Sequence, residues 1–290
     1  MKGILLAGGS GTRLRPLTQA ISKHLLPVYS KPMIYYPLST LMLAGVREVL
    51  LVTTPRDVGG YQALLGDGSH LGITISYAIQ PLPNGLAGGL LLAEEYASGD
   101  QVALILGDNI FHGAGVGDAL KTFAEHGGAT IFSKQVRDAS RYGVVEVDQN
   151  NKAISIEEKP TKPKSTLAIT GLYFFDNSVF DRAKKVTPSR RGELEITDVQ
   201  TSYLESGDLQ VRELPRGTTW MDTGTISSLA EASEYIRGIE DRHGYLVSCP
   251  EEVAWRSGWI GDADLAALQA YSEANEYGEY LRKLLTRGTS

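Results

Sequence analysis

The chain has one cysteine, Cys249, among 290 residues, so no internal disulfide can form and a disulfide-stapled scaffold is excluded. It has no apolar run of about 18 residues and no charged-then-apolar leader, which leaves a cytoplasmic protein with no membrane partner as the expectation. Positive charge is also short. Lys and Arg total 28 against 34 Asp and Glu, a formal net charge of −6 that argues against a nucleic-acid surface but allows a local basic pocket. Repeats and low-complexity tracts are missing. What remains, 42% hydrophobic and 21% charged residues, fits a globular chain with ample core. The expected organisation is one large domain with an appended subdomain, meeting small partners locally.

The chain is organised around residues 2–18, KGILLAGGSGTRLRPLT. Gly3 to Ala7 is a continuous apolar run of the kind a buried parallel strand shows, and it runs into Gly8, Gly9 and Gly11. Glycines let a backbone turn with positive φ and bring a row of N–H groups, here Gly8 to Thr12, up to phosphate oxygens. Arg13, Arg15 and Lys23 add full positive charge nearby. Two commoner phosphate loops do not fit. Gly9-Ser10-Gly11 is followed by Thr12-Arg13-Leu14, which breaks the dinucleotide pattern G-x-G-x-x-G, and no lysine follows the glycines as a Walker loop requires.

Further along, Pro32 to Gly45 reads as a buried helix with Pro37 kinking it or in its first turn, and Glu48 to Thr54 as a second apolar strand. Strand, helix, strand within this span is a βαβ unit, so the class is α/β with a parallel sheet. Ile73 to Ile79 reads as a strand, Leu86 to Ala97 as one helix, and Val102 to Leu106 as the most apolar strand. The last ends in Gly107-Asp108-Asn109. Ligands sit at the carboxyl ends of strands in open parallel sheets, which places Asp108 to hold a metal; capping a following helix is the alternative use. From Ala129 the pattern turns to strands and turns, with a hairpin about Gln149-Asn150-Asn151. Glu158 and Lys159 point to opposite faces on a strand, and reach one ligand only if the strand ends there, as Pro160 allows. Thr197 and Asp198 precede a helical run, and Val211 to Leu214 is again a strand. Asp222 is a second strand-end acid, after Trp220-Met221. Helices are expected over Ile226–Glu240, Pro250–Ser257, Asp262–Ser272 and Glu276–Leu285, with Thr286 to Ser290 as a frayed tail.

Taken singly, Trp220 belongs in a core, His24 is a satisfied polar residue, and Lys159 beside Glu158 is a solvated pair. Taken together, LAGGSGTRLRPLT and SKHLLPV resemble the signature of the sugar-1-phosphate nucleotidylyltransferases. PMIYYPLSTLMLAG, LGDNIF, RYGVVE, EEKP, PKS, TGLYFFD, RGELEITD and WMDTGT match the glucose-1-phosphate thymidylyltransferases in order and spacing, from Lys2 to about Leu285.

The resemblance implies a three-layer α/β sandwich with a mostly parallel central sheet, a small sugar-side β-region and a C-terminal helical extension. It implies an α/β domain over 1–240, with a nucleotide half to about 128 and a sugar half from about 129, then the extension over 241–290. The implied reaction is thymidylyl transfer from dTTP to α-D-glucose 1-phosphate, giving dTDP-glucose and pyrophosphate for deoxysugar biosynthesis. By resemblance, Arg13 and Lys23 are phosphate-binding cations, Asp108 and Asp222 are Mg²⁺ ligands, and Lys159 contacts the sugar phosphate. Gly143 and Glu158 match sugar contacts, Thr197 and Trp220 the lining of the sugar pocket. His24, Gln80 and Gly85 match the nucleotide side, and Asn109 lies beside the metal acid. A homotetramer binding a dTDP-sugar effector through Arg216, Gly217 and Arg256 is also implied, with Trp255, Trp259 and Ile260 suited to burial between subunits. The sequence departs from the family where SKQLLP becomes SKHLLP, where DGLAQA becomes Asn84-Gly85-Leu86-Ala87-Gly88-Gly89, and where Arg15 replaces a common tyrosine. The change at His24 leaves a UTP-using uridylyltransferase open. A retaining glycosyltransferase shares a strand-end metal acid but not the glycine loop, and a silent regulatory homologue would not keep Arg13, Lys23, Asp108, Lys159 and Asp222 together.

Overall fold

A computed structural model describes residues 1–113, 115–123, 127–271 and 275–287. The apolar runs form the expected parallel strands. Lys2–Leu6 lies between Glu48–Thr53 and Val102–Leu106, hydrogen-bonded in parallel to both, and Thr74–Ile79 extends the sheet beyond Glu48–Thr53. Side chains alternate between faces along a strand. Leu5, Leu51, Ala103 and Ile105 therefore join one core with the helices Tyr35–Leu43 and Val58–Leu65. Ile4, Leu50, Val102 and Leu104 join the other with the helices Leu86–Leu91, Val179–Ala183 and Ile196–Ser206. The result is three layers, helix, sheet and helix. Among the described residues no helix is long and apolar enough to cross a membrane.

The long strand Leu167–Phe175 converts the parallel sheet into an antiparallel one, and it does so by forking. Along one edge, Leu172 to Phe175 pair with Val102–Leu106, while Ala168 pairs with Val144 of the strand Gly143–Val147. Its other edge pairs with Ala129–Gln135, which in turn pairs with Leu209–Glu213. The expected hairpin joins Gly143–Val147 to Ala153–Glu158. Where the two partners on one edge diverge, the Asn109 side chain fills the wedge, accepting the Gly171 N–H at 3.1 Å. A Cβ at Gly171 would come within 2.7 Å of Asn109, so glycine is required at the fork. Asn109 itself opens a strand, Asn109–His112, that pairs with Thr219–Asp222 and sets Asn109 opposite Asp222.

Several local expectations change. No helix follows Asp108, so it is not a helix cap. Leu86 to Ala97 is two helices, Leu86–Leu91 and Glu94–Ala97, because the turn tightens where the Ala93 N–H bonds to the Leu90 carbonyl and buries its methyl. Pro37 sits in the first turn of Tyr35–Leu43, where its missing N–H costs no helical bond. The helix Ile226–His243 starts at a Thr225–Ser228 capping box and runs past residue 240. Thr286 belongs to the helix Glu276–Arg287, not to a frayed tail; 288–290 lie outside the described residues, as does the expected helix end at Ser272.

The helix Ile226–His243 is tied to the N-terminal segment by a buried ion pair. Lys31 Nζ lies 2.7 Å from Glu240 Oε1, with the two side chains 1% and 5% exposed. Glu240 also accepts the Val247 N–H at 2.9 Å and the Ser30 hydroxyl at 2.9 Å. Removing one partner strands a buried charge. Lys31→Met alone should cost about 3–5 kcal/mol in urea unfolding, and Lys31→Met with Glu240→Leu should recover much of it. Equal stability of the single variant and wild type would show that the pair is solvated.

Candidate active site

A cavity of about 380 Å³ opens at the fork, lined by Arg13, Lys23, Asp108, Glu158, Lys159 and Asp222 among others, all on loops, turns or strand ends. The glycine loop enters it with Gly9 at φ +124° and Gly11 at φ +58°. It leads into a single 3-10 turn, Thr12–Leu14, and not into a helix, so an anion here would meet loop amides and the Arg13 side chain instead of a helix end. The Thr18 hydroxyl donates to the Gly11 carbonyl at 2.7 Å and fastens the loop. Arg13 is exposed at the cavity and makes no ion pair among the described residues.

Lys23 stands on the 3-10 turn Lys23–Leu25 and ion-pairs with Asp108 Oδ2. Burial alone would raise the Asp108 pKa. The Lys23 ammonium, with hydrogen bonds from Lys23 and from Asn109 Nδ2 at 3.0 Å, instead holds it well below the usual carboxylate range. Asp222 is shifted the other way, first by burial and then by the negative charge of Asp108. Thr223 locks the two strand ends together, its N–H and hydroxyl reaching the Asp108 carbonyl at 3.0 and 2.8 Å. Two mutually repelling carboxylates form a hard oxygen pair that suits a divalent cation such as Mg²⁺. Asp222 Oδ1 accepts the Gly224 N–H at 3.0 Å, and no donor among the described residues reaches Oδ2. No cluster of three metal-binding side chains occurs among the described residues, so phosphate oxygens would have to complete the coordination.

On the opposite wall, Glu158 ends its strand across from Gly143. Lys159 has φ +44°, and its N–H donates to the Tyr142 carbonyl at 3.0 Å. That left-handed turn is the strand end expected at Pro160: it brings Lys159 Nζ to 3.1 Å from Glu158 Oε1, and both side chains line one cavity. Thr197 and Gln200 lie one turn apart on Ile196–Ser206. The buried Thr197 hydroxyl has no partner among the described residues, and the Gln200 amide lies near the Tyr173 hydroxyl without a hydrogen bond of full geometry. Trp220 lines the cavity instead of vanishing into the core, its Nε1–H donating to Asn109 Oδ1 at 2.6 Å and its ring edge-on to Tyr142 at 5.0 Å.

A second cavity of about 200 Å³ adjoins the first, sharing Lys23, Asp108 and Glu193, and carries Gly8, His24, Gln80 and Gly85. His24 is 1% exposed, with Nδ1 3.1 Å from the Tyr61 hydroxyl and 3.3 Å from the Ser22 hydroxyl. Burial, aided by Lys23, lowers its pKa to about 3, so the ring is neutral and rigid while still facing the cavity. Two backbone hydrogen bonds join the two sides: Leu194 N–H to the Asn84 carbonyl at 2.8 Å and Ala87 N–H to the Leu194 carbonyl at 3.1 Å.

Sequence reasoning missed Arg141, Tyr142, Glu193 and Gln200, all lining the larger cavity. Gln200 was open to discovery, being one helical turn beyond Thr197. It also missed Arg191, whose Nη2 lies 3.1 Å from Glu158 and 2.8 Å from Glu195. Arg216 and Gly217 line neither cavity and are exposed on the turn between Leu209–Glu213 and Thr219–Asp222. Arg256 ends the helix Pro250–Arg256, paired with Glu252 at 2.8 Å. The apolar side chains beside it do not await a subunit interface: Trp255 and Ile260 are 6% and 8% exposed in this chain's own core, and Trp259 packs against that core under Arg47.

A glycine loop and two strand-end acids at the switch of a three-layer α/β sheet define a nucleotide-binding transferase, and residues 2–238 match the nucleotidyl transferase family, to which the chain belongs. The likeness then narrows. The chain is 52% identical to a glucose-1-phosphate thymidylyltransferase of Neisseria meningitidis over 99% of its own length and 100% of that protein's. It is 53% identical to that of Mycobacterium tuberculosis, covering 99% of this chain and 100% of the relative. Among solved structures, a Bacillus anthracis protein assigned as a glucose-1-phosphate thymidylyltransferase, in complex with sucrose, matches with a TM-score of 0.76 at 40% identity, over 82% of this chain and 95% of that one. A UDP-glucose pyrophosphorylase complexed with UDP-glucose, 22% identical with a TM-score of 0.72 over 82% and 98% of the two chains, shares the fold.

The acid pair gives a titration test. The Lys23 ammonium lowers the pKa of both Asp108 and Asp222, so Lys23→Met should raise both, Asp108 the more. A depressed acid such as Asp108 adds stability above the usual carboxylate range and loses it as pH falls through its folded value; for Asp222 the sign is reversed. Carboxyl ¹³C titration reads both, and an unmoved Asp108 would show that the ion pair does not persist in solution.

Proposed function

We propose that the chain transfers a thymidylyl group from dTTP to α-D-glucose 1-phosphate, giving dTDP-glucose and pyrophosphate. One observation carries this: a single cleft is lined by Arg13 and Lys23 from the residues before 128, by Lys159 from those after 129, and by two strand-end acids, Asp108 and Asp222. Near full-length identity to proteins named for this activity supports the choice of substrates. In this scheme residues 1–128 form the nucleotide half, 129–240 the sugar half and 241–290 a C-terminal extension. A cytoplasmic location is part of the same proposal.

A phosphate oxygen of the sugar attacks the α-phosphorus, the new P–O bond forming as the bond to the β-phosphate oxygen breaks and pyrophosphate leaves. Two anions must be brought together, so positioning and charge neutralisation carry the catalysis and no enzyme nucleophile is required. The amides of Gly8 to Thr12 and the Arg13 guanidinium hold the triphosphate, and Arg13, with no ion pair among the described residues, meets the charge that grows at phosphorus. Lys159 orients the sugar phosphate. Gly143, Glu158, Thr197 and Gln200 face the sugar hydroxyls. Asp108 and Asp222 are the residues that would hold a magnesium ion, which would supply Lewis-acid neutralisation of the phosphates.

Pyrophosphate release from a panel of nucleoside triphosphates and sugar phosphates tests the assignment. The pair dTTP and glucose 1-phosphate should give the highest kcat/KM, a chelator should abolish activity, and Arg13→Ala should lower kcat about a hundredfold with a smaller change in KM. Undiminished turnover in folded Arg13→Ala would remove that residue from the mechanism. The neutral, rigid ring of His24 in the base-side cavity favours a second substrate, UTP, so the panel includes His24→Gln, which should widen the preference for dTTP.

The chain is further proposed to form a homotetramer with a dTDP-sugar effector bound through Arg216, Gly217 and Arg256. Support comes from connectivity: the exposed Arg216-Gly217 turn leads directly into the strand that carries Trp220 and Asp222. Sedimentation should give a tetramer, and Arg256→Ala should weaken inhibition by dTDP-rhamnose about tenfold while keeping uninhibited turnover. A monomer, or inhibition indifferent to Arg256, would refute this.

A further inference from the structure

Gln80 follows the strand Thr74–Ile79, its backbone N–H bonded to the Thr53 carbonyl at 2.7 Å, and its side chain lines the smaller cavity at 9% exposure. A glutamine amide in such a place can present either a carbonyl or an NH₂ group, and the two choices recognise opposite hydrogen-bonding edges of a base. Its neighbours decide between them. Gln80 Nε2 lies 2.8 Å from Asn84 Oδ1 and 3.5 Å from the Gly85 carbonyl oxygen. The backbone carbonyl can only accept, so the NH₂ group must be the end turned towards this pair, and the Asn84 amide must in turn offer its oxygen. Gln80 Oε1 is left on the other side, 3.1 Å from where a Cβ on Gly8 would stand, and no donor among the described residues reaches it.

Asn84 can do this only because residue 88 has no side chain. A Cβ on Gly88 would stand 2.1 Å from Asn84 Oδ1 and 2.6 Å from its Cγ, so the Asn84 amide occupies the space of a side chain at 88. The Asn84 backbone is itself held by the Leu194 N–H at 2.8 Å.

We propose that Asn84 and Gly88 act as a unit that fixes the Gln80 amide with its carbonyl towards the base, making this a pocket for pyrimidines with an imide N3–H, thymine and uracil, and against cytosine, whose N3 is an acceptor. Asn84 is a positioning residue. It acts through Gln80 on the nucleotide of the proposed transfer, and so rests on that assignment. Without Asn84 the Gln80 amide is free to turn about its last torsion and offer NH₂ to cytosine N3.

Calorimetric titration of dTTP, UTP and CTP, alongside turnover with each, tests it. Asn84→Ala should reduce the dTTP-to-CTP ratio of binding constants about tenfold while leaving the dTTP-to-UTP ratio unchanged, since both of those bases carry N3–H. Asn84→Asp, which keeps an acceptor, should restore the wild-type ratio. Gly88→Ala should reproduce the loss by expelling the Asn84 side chain, in a helix that alanine favours over glycine, and should add nothing further in the Asn84→Ala background. Loss of discrimination against CTP that is seen in binding supports the proposal even if turnover with glucose 1-phosphate fails and the assigned reaction falls. Normal turnover with an unchanged dTTP-to-CTP ratio in Asn84→Ala, or additive effects in the double variant, overturns the proposal and leaves the reaction standing. Absence of nucleotide binding by the wild-type protein would overturn both.

Discussion

The site exists because one strand has two partners along the same edge. Leu167–Phe175 is long enough to pair with Val102–Leu106 at one end and to meet Gly143–Val147 at the other, and sheets cannot hold both partners at the usual strand spacing without parting between them. The gap opens beside the carboxyl end of the central strand, where Asp108 and Asn109 emerge. Asn109 closes the floor by accepting from Gly171 and Trp220 with one oxygen, so a single amide sets the angle between the two halves of the cleft.

Charge is distributed unevenly across that cleft. Lys23 and Asp108 neutralise each other, Lys159 is partnered by Glu158, and Asp222 has no ion pair among the described residues, its burial eased by the Gly224 N–H and by the nearby charge of Lys23. Arg13 stands without an ion pair among the described residues. On the phosphate side, attraction for an anion thus comes from the Arg13 guanidinium and the dipoles of the loop amides, in a chain whose formal net charge is −6. Local arrangement outweighs composition here, because screening confines surface charges to distances of about 10 Å or less.

Much of this was legible in the amino-acid sequence. Buried parallel strands are continuous apolar runs, so Lys2–Leu6, Glu48–Thr53 and Val102–Leu106 could be read with little error. The glycine loop and the strand-end acids announce themselves by position after such runs. What could not be read depends on tertiary register. The fork rests on the change of partner between Ala168, which meets Val144, and Leu172, which meets Ile105, and no local pattern encodes that change. Lys159 reaches the cavity through a positive φ that its residue type disfavours. Arg191 bridges Glu158 and Glu195, residues far apart in the chain, and Trp255 and Ile260 looked fit for an interface because burial within a chain and between chains selects the same side chains.

The bonds between Leu194 and the Asn84–Ala87 segment have a mechanical consequence. They gear the loop over the smaller cavity to the loop over the larger one, so the two rims share one degree of freedom instead of two. Lifting either alone breaks both bonds, at a net cost of roughly 1 kcal/mol each, whereas lifting them as a single flap breaks neither. The two rims are therefore coupled: widening one for an occupant favours widening the other, and an occupant that clamps one loop also steadies its neighbour.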